Sequence, residues 1–208
     1  MTCQCSRRSL LALAGATAMT PLITLAEGIQ VLTGKASSLG AKKLRISVTE
    51  NDTLIKVGHD AMLAQAGAEL ELTEGGGGIK ELVLEAGRVL SVFRPDGQER
   101  TIKNHGVTAG VRGTAVYSHQ MHGQTYFCVC YGAVDYQYQG LTDRVETNYH
   151  QARIFSEGTI SRSNYGAPAM HYDDELAMLE RSVGREPHWT LPDGKMKFKR
   201  PGPLPVIR

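Results

Sequence analysis

Between Gly110 and Gly132 the chain reads GVRGTAVY, a short histidine-bearing connection SHQMHGQ, then TYFCVCYG. Val111, Thr114, Val116 and Tyr117 on one side, and Tyr126, Phe127, Val129 and Tyr131 on the other, are the β-branched and aromatic residues that fill a pleated surface. The stretch is expected to be a β-hairpin whose loop carries His119 and His122. Cys128 and Cys130 fall on its second strand, and because side chains two apart on a strand share a face, their sulfurs lie side by side.

The residues around the hairpin follow the same rule. Leu44, Ile46 and Val48 alternate with Arg45, Ser47 and Thr49, and Asn51-Asp52 turns the chain into Thr53 to Val57. Short runs follow at Ala61 to Gln65, Ala68 to Leu72, Lys80 to Leu84, Arg88 to Phe93 and Glu99 to Lys103, and again at Ala133 to Tyr138, Arg144 to Asn148 and Arg153 to Phe155. Gly58, Gly67, Gly75 to Gly78 and Pro95-Asp96-Gly97 punctuate them. Such short strands between tight turns specify an all-β fold, as a sandwich or a short solenoid. The four glycines at 75 to 78 are read as a hairpin tip and not a phosphate cradle, since no helix-forming segment or Lys-Ser/Thr pair follows them. A hydrophobic fraction of 41% over 208 residues supports one domain plus appendages. Lys+Arg 23 against Asp+Glu 21 gives no charge argument for a nucleic-acid or membrane partner, and no nucleic-acid partner is expected.

GVRGTAVY, followed by a strand and then YGAVDYQ, resembles the core signature of the FecR domain, the periplasmic module of bacterial iron-dicitrate sensors and their relatives. The signature falls on Gly110, Val111, Arg112, Gly113 and Thr114, with the next strand to Tyr117 and a closing "G-small-V" segment at Gly132 to Val134. The likeness extends back to about Thr33, which places a FecR-like β-domain at 33–155. It implies a family role in iron-linked signalling: the periplasmic domain reads an outer-membrane transporter and informs a sigma factor through a membrane helix and a cytoplasmic segment. No cytoplasmic anti-sigma segment is expected beside this domain, so the expectation is a stand-alone module that binds a protein partner in the cell envelope. Cys128 to Gly132, together with His171 to Leu176 ahead of Val183-Gly184-Arg185, is also similar to a pattern in a subgroup of such proteins.

The first 26 residues read as a twin-arginine signal peptide. Arg7-Arg8 precedes an apolar, small-residue run from Leu10 onward, although Leu10 and Ala12 stand where Phe and Lys are commoner. Cleavage is expected at Thr24-Leu25-Ala26, with Ala16-Thr17-Ala18 the alternative. No cysteine follows the run to take a lipid anchor, and Pro21 interrupts a stretch already short for crossing a bilayer. The mature protein is therefore expected in the periplasm or outside the cell without a membrane span; an uncleaved anchor is the alternative.

Cys3 and Cys5 would leave with the signal, so Cys128 and Cys130 remain. On an extended strand their Cα atoms stand roughly 6.5 to 7 Å apart with parallel side chains, so a disulfide between them would be strained and easily reduced. Two thiolates on one face, with His150 and His171 brought over them by the C-terminal segment, would suit zinc in a closed tetrahedral site, or iron or copper. Packing as small hydrophobes and a redox role are the other readings of the pair. His122 lies too far along the hairpin to share an ion with Cys128, and His119 and His122 are read as solvated loop residues.

After the strands comes a segment at 156–185. Within it Asp173 is expected to cap a helix over 173–183, in which Leu176, Leu179 and Val183 recur at helical spacing and Gly184 is the stop. Residues 186–208 form a basic, proline-rich tail, in which Trp189, Lys195, Lys197, Lys199 and Arg200 are the candidate partner-binding residues. No nucleophile elbow or paired-carboxylate arrangement stands out, so no catalytic residue is assigned and an enzyme is not expected.

Overall fold

The computed structural model describes residues 24–26, 29–31, 35–40, 42–162, 170–187 and 201. The expected signal up to residue 23 lies outside the described residues, as do Trp189, Lys195, Lys197, Lys199 and Arg200 of the tail. Among the described residues sixteen strands and one helix follow in order. They are β1 (Thr24–Ala26), β2 (Ile29–Val31), β3 (Lys35–Gly40), β4 (Lys43–Ser47), β5 (Thr53–Val57), β6 (Asp60–Ala64), β7 (Glu69–Gly75), β8 (Gly78–Ala86) and β9 (Arg88–Val92). β10 (Arg100–Asn104), β11 (Val107–Val111), β12 (Ala115–Met121), β13 (Gln124–Tyr138), β14 (Leu141–Thr147), β15 (Gln151–Ser156), β16 (Thr159–Arg162) and α1 (Asp173–Ser182) complete the chain. The protein is all-β with a single helix among these residues, and no described helix is long and apolar enough to cross a membrane.

The strands join in the order β1-β2-β5-β6-β9-β12-β13-β11-β10-β8-β7-β4-β3, with β14 and β15 also paired to β13. β13 links the two halves of this sheet. From Gln124 to Tyr131 it pairs with β12, and from Thr125 to Val129 with β15; from Gly132 onward it pairs with β14, and from Val134 with β11. The bend at the change of partners is Gly132, at φ 88. A Cβ there would stand 2.4 Å from Thr114 Cγ2 and 3.0 Å from the Gly113 carbonyl oxygen. Gly132→Ala meets both a left-handed backbone and this contact, so it is expected to lower the unfolding free energy by about 1–3 kcal/mol. Urea titration of the two proteins checks this, and a loss within error of zero would show that the bend tolerates a side chain.

The folded sheet encloses one core, to which Ile46 and Leu70 of one half and Ile55, Met62, Val116 and Phe127 of the other contribute. Alternate residues of the second half face outward into another apolar layer. Leu54, Leu63, Leu90, Tyr117, Tyr126, Cys128 and Cys130 belong to that layer, and Leu176, Met178 and Leu179 of α1 pack on it. A strand covered on both faces loses the polar face of an ordinary antiparallel strand. β6, Asp-Ala-Met-Leu-Ala, is accordingly buried along its whole length.

Three local expectations need correction. The hairpin runs from β12 to β13 and turns at His122-Gly123, so the longer loop expected over 118–124 does not form. The polar residues Ser118, His119 and Gln120 continue the ladder, because strand pairing is made by the backbone and does not stop where hydrophobicity does. Val111 ends β11 in the other half, and Gly113, at φ 66 and close against Pro95, turns the chain between them. Nor is Asn51-Asp52 a hairpin turn: β4 pairs with β3 and β7, whereas β5 pairs with β2 and β6. That stretch carries the chain from one half to the other, with Asp52 accepting a hydrogen bond from the Ala66 N–H at 3.0 Å. By contrast, Gly76 and Gly77, at φ 64 and 77, close the β7–β8 hairpin as expected.

Candidate metal centre

Cys128 and Cys130 project from the first part of β13 away from the inter-sheet core and toward α1. Both are free and fully enclosed, at 0% and 1% exposure. His150 arrives at the turn between β14 and β15, at φ 27, and its backbone N–H donates to the Cys130 carbonyl at 3.0 Å. His171 arrives from the segment leading into α1, directly after Met170 at φ 62. Left-handed backbone at a non-glycine residue costs on the order of 1–2 kcal/mol, and such residues concentrate where a site imposes the geometry. One ligand atom from each of Cys128, Cys130, His150 and His171 lies within 4.8 Å of all the others.

The separations define the geometry further. A tetrahedral ion with bonds of about 2.3 Å to sulfur and about 2.0 Å to nitrogen holds its nitrogens about 3.3 Å apart and its sulfur–nitrogen pairs about 3.5 Å apart. His171 Nε2 and His150 Nδ1 are 3.3 Å apart, Cys128 Sγ and His150 Nδ1 3.6 Å, and Cys130 Sγ and His171 Nε2 3.5 Å. A two-iron cluster with Cys₂ and His₂ on different irons would hold sulfurs and nitrogens farther apart than this. With four protein ligands the arrangement is that of a closed site, which leaves no open position for a substrate.

The supporting residues orient the imidazoles. His150 Nε2 lies 3.0 Å from Asp173 Oδ1, with the two side chains at 2% and 1% exposure, so the Nε2–H donates to the carboxylate and Nδ1 faces the sulfurs. The Tyr149 hydroxyl donates to the other Asp173 oxygen at 2.8 Å. The His171 ring stacks on Tyr117, with centroids 4.3 Å apart and planes at 14°. Burial works against charge on His150, but the hydrogen bonds with Asp173 and then Cys128 outweigh it and raise its pKa to about 9. Burial also pushes the Cys128 thiol up, yet hydrogen bonds from Cys130, His150 and His171 hold it well below the usual thiol range. Cys130 is pushed well above that range, by burial first and then by the neighbouring Cys128. An ion that takes all four ligands binds them deprotonated, so its binding displaces whatever protons they carry without it.

The structure therefore brings together the four residues singled out as ligands and places the other expected groups elsewhere. Gly110, Val111, Arg112, Gly113 and Thr114 form the end of β11 and the turn into β12, where the Arg112 guanidinium donates to Glu99 at 2.5 Å. His119 is not a solvated loop residue. It stands on β12 with a buried Nδ1, and burial, then the Arg88 charge, pushes its pKa down to about 4. Asp173 is not the helix cap: Tyr172 takes that position, its N–H donating to Glu175 Oε2 at 3.0 Å. Asp173, Tyr149 and Tyr117 are the supporting residues that sequence reading missed. Its one usable signal was that Asp173 stands two residues from a candidate ligand.

No protein-family model and no curated protein matches the chain. Among solved structures, the 2.50 Å crystal structure of a candidate anti-sigma factor from Parabacteroides distasonis is similar over 69% of this chain and 74% of that one, at a TM-score of 0.51 and 15% identity. A second, 1.65 Å structure described in the same words and from the same organism covers 70% of this chain and 65% of its own, at a TM-score of 0.46 and 16% identity. The first likeness is one of fold.

Proposed function

We propose that the chain is an exported, FecR-like binding and sensing module of the cell envelope, and that its sensing element is a mononuclear metal centre formed by Cys128, Cys130, His150 and His171. The observation that carries this reading is the meeting of four buried ligand atoms within 4.8 Å, with one nitrogen–nitrogen and two sulfur–nitrogen spacings that suit a tetrahedral ion. Two thiolates offset the charge of a divalent ion in a dry site, and their softness with two imidazoles suits zinc first, then copper or iron. Arg7-Arg8 and the apolar run behind them, read as a twin-arginine signal, support the reading too, since that route carries folded proteins and a metal loaded before export would require it. The FecR resemblance and the anti-sigma description of the P. distasonis protein support signalling through a protein partner in the envelope. In this reading the metal state is what the domain reports, and the basic tail with Trp189, Lys195, Lys197, Lys199 and Arg200 is the arm that meets the partner.

The test is to express the chain with its own signal, recover the folded exported form, and measure metal content beside thiol reactivity. Near-stoichiometric zinc, copper or iron is expected, with both thiols unreactive until a chelator is added. Cobalt in place of the native ion should show tetrahedral d–d bands and sulfur-to-cobalt charge transfer. A metal-free protein with two reactive thiols that takes up no cobalt would remove the centre and leave a metal-free interaction module.

A further inference from the structure

The four ligands are unevenly shared between the parts of the fold. Cys128 and Cys130 belong to β13, and His150 is fixed to that strand by its N–H bond to the Cys130 carbonyl. His171 alone comes from the C-terminal segment, and Asp173, the first residue of α1, reaches back to His150. An ion bound by all four would therefore join α1 to a site otherwise complete on the β-domain.

α1 needs such a join. At ten residues it is too short to persist as a helix in water by itself, so leaving the sheet would also mean unwinding. It docks an apolar stripe of Leu176, Met178 and Leu179, but buries three carboxylates with it: Asp173 at 1%, Glu175 at 0% and Glu180 at 2% exposure. Burying a carboxylate is costly unless its partners are in place. Glu180 accepts from the Tyr131 hydroxyl and the Arg185 guanidinium, and Glu175 accepts the Tyr172 N–H. Asp173 bonds Tyr149 with one oxygen and His150 with the other, which ties it to the same imidazole that binds the ion.

We propose, on the basis of the metal reading above, that the centre is a latch: zinc holds α1 on the outer face of the sheet, and its loss lets α1 leave and uncovers Leu63, Leu90 and Tyr117 beneath. The ion acts by binding the docked state, which presents four ligands, in preference to the undocked state, which presents three. Metal occupancy is thereby converted into a change of surface.

The experiment follows hydrogen–deuterium exchange in the full exported chain, loaded with zinc or stripped by chelator, with zinc per chain measured on the same samples. With zinc saturating the docked state, α1 amides from Leu176 to Val183 should exchange more slowly than in the stripped protein by the ratio of the zinc affinities of the docked and undocked states, an effect capped at about 100-fold at a hundred times the dissociation constant. Amides of β10 and β11 should not change, and binding of a fluorescent apolar probe should rise on stripping. His171→Ala keeps the three β-domain ligands and should bind zinc more weakly without slowing exchange in α1. Stoichiometric zinc with equal α1 protection in both states would overturn the latch and leave the centre standing. Failure of the wild-type chain to bind zinc would overturn the zinc latch, and failure to take up copper, iron and cobalt as well would overturn the centre with it.

Discussion

Asp60→Ala is expected to lower the unfolding free energy by about 3–5 kcal/mol, the cost of removing one partner from a buried ion pair. Asp60 is 0% exposed and Arg100 3%, and they meet at 2.9 Å between β6 in one half of the sheet and β10 in the other. The carboxylate also accepts the Ile79 N–H and the Arg94 N–H, each at 2.8 Å, so both of its oxygens are used. Truncation leaves two backbone donors without that acceptor and a guanidinium that keeps only Asp96 and two carbonyl oxygens. Space at this point has been given over to the carboxylate: a Cβ on Gly78 would stand 2.2 Å from Asp60 Oδ2. Asp60→Asn keeps one acceptor oxygen at nearly the same volume and should cost less than Asp60→Ala. Equilibrium urea unfolding of the three proteins, at one fixed metal state, measures both differences. A loss below about 1 kcal/mol for Asp60→Ala would place the pair among those that exposed charges make, and not among buried ones.

How much of this was legible in the sequence depends on the range of the interaction. Alternation such as Leu44-Arg45-Ile46 is a property of neighbours, and β4 lies where it points. Gly76-Gly77 marks a turn because left-handed backbone is also a local demand, whereas the turn at Gly113 was read as part of a strand. Partner choice is not local. Nothing near Asn51-Asp52 says whether the following strand pairs with the preceding one or crosses to the other half, since both need the same turn residues. Tyr126 to Tyr138 read as two strands because Gly132 separates them, whereas the backbone runs through the bend and only its partners change. The candidate site divides in the same way. Cysteine and histidine announce themselves by their chemistry, and the two-residue spacing on a strand puts both sulfurs on one face. Asp173 looked like a helix cap because an acidic residue ahead of an apolar periodic run usually is one. Its contact with His150, and the stacking of Tyr117 on His171, depend on where α1 lands on the sheet.

Asp173→Ala is expected to weaken metal binding by about 10–100-fold, as removal of a carboxylate that orients a ligating imidazole does. The side chain is 1% exposed; it accepts the His150 Nε2–H at 3.0 Å and the Tyr149 hydroxyl at 2.8 Å. Without it the His150 ring loses the bond that presents Nδ1 to the sulfurs, and a ring rotation or the other tautomer becomes accessible. Asp173→Asn can still accept that proton through its amide oxygen, so its loss should be the smaller one and should come from the missing charge. A merely helical role makes a different prediction, because an acid in the first turn of α1 also favours the helix. Asp174 stands in the same turn, bonded to the Glu175 N–H at 3.0 Å, and so serves as the control. Competition against a chromophoric chelator should show Asp173→Ala weakened, Asp173→Asn between, and Asp174→Ala close to the parent chain. Equal weakening in the Asp173 and Asp174 variants would assign the effect to the helix terminus, and removal of Asp173 would then act on the docking of α1 before it acts on the ion.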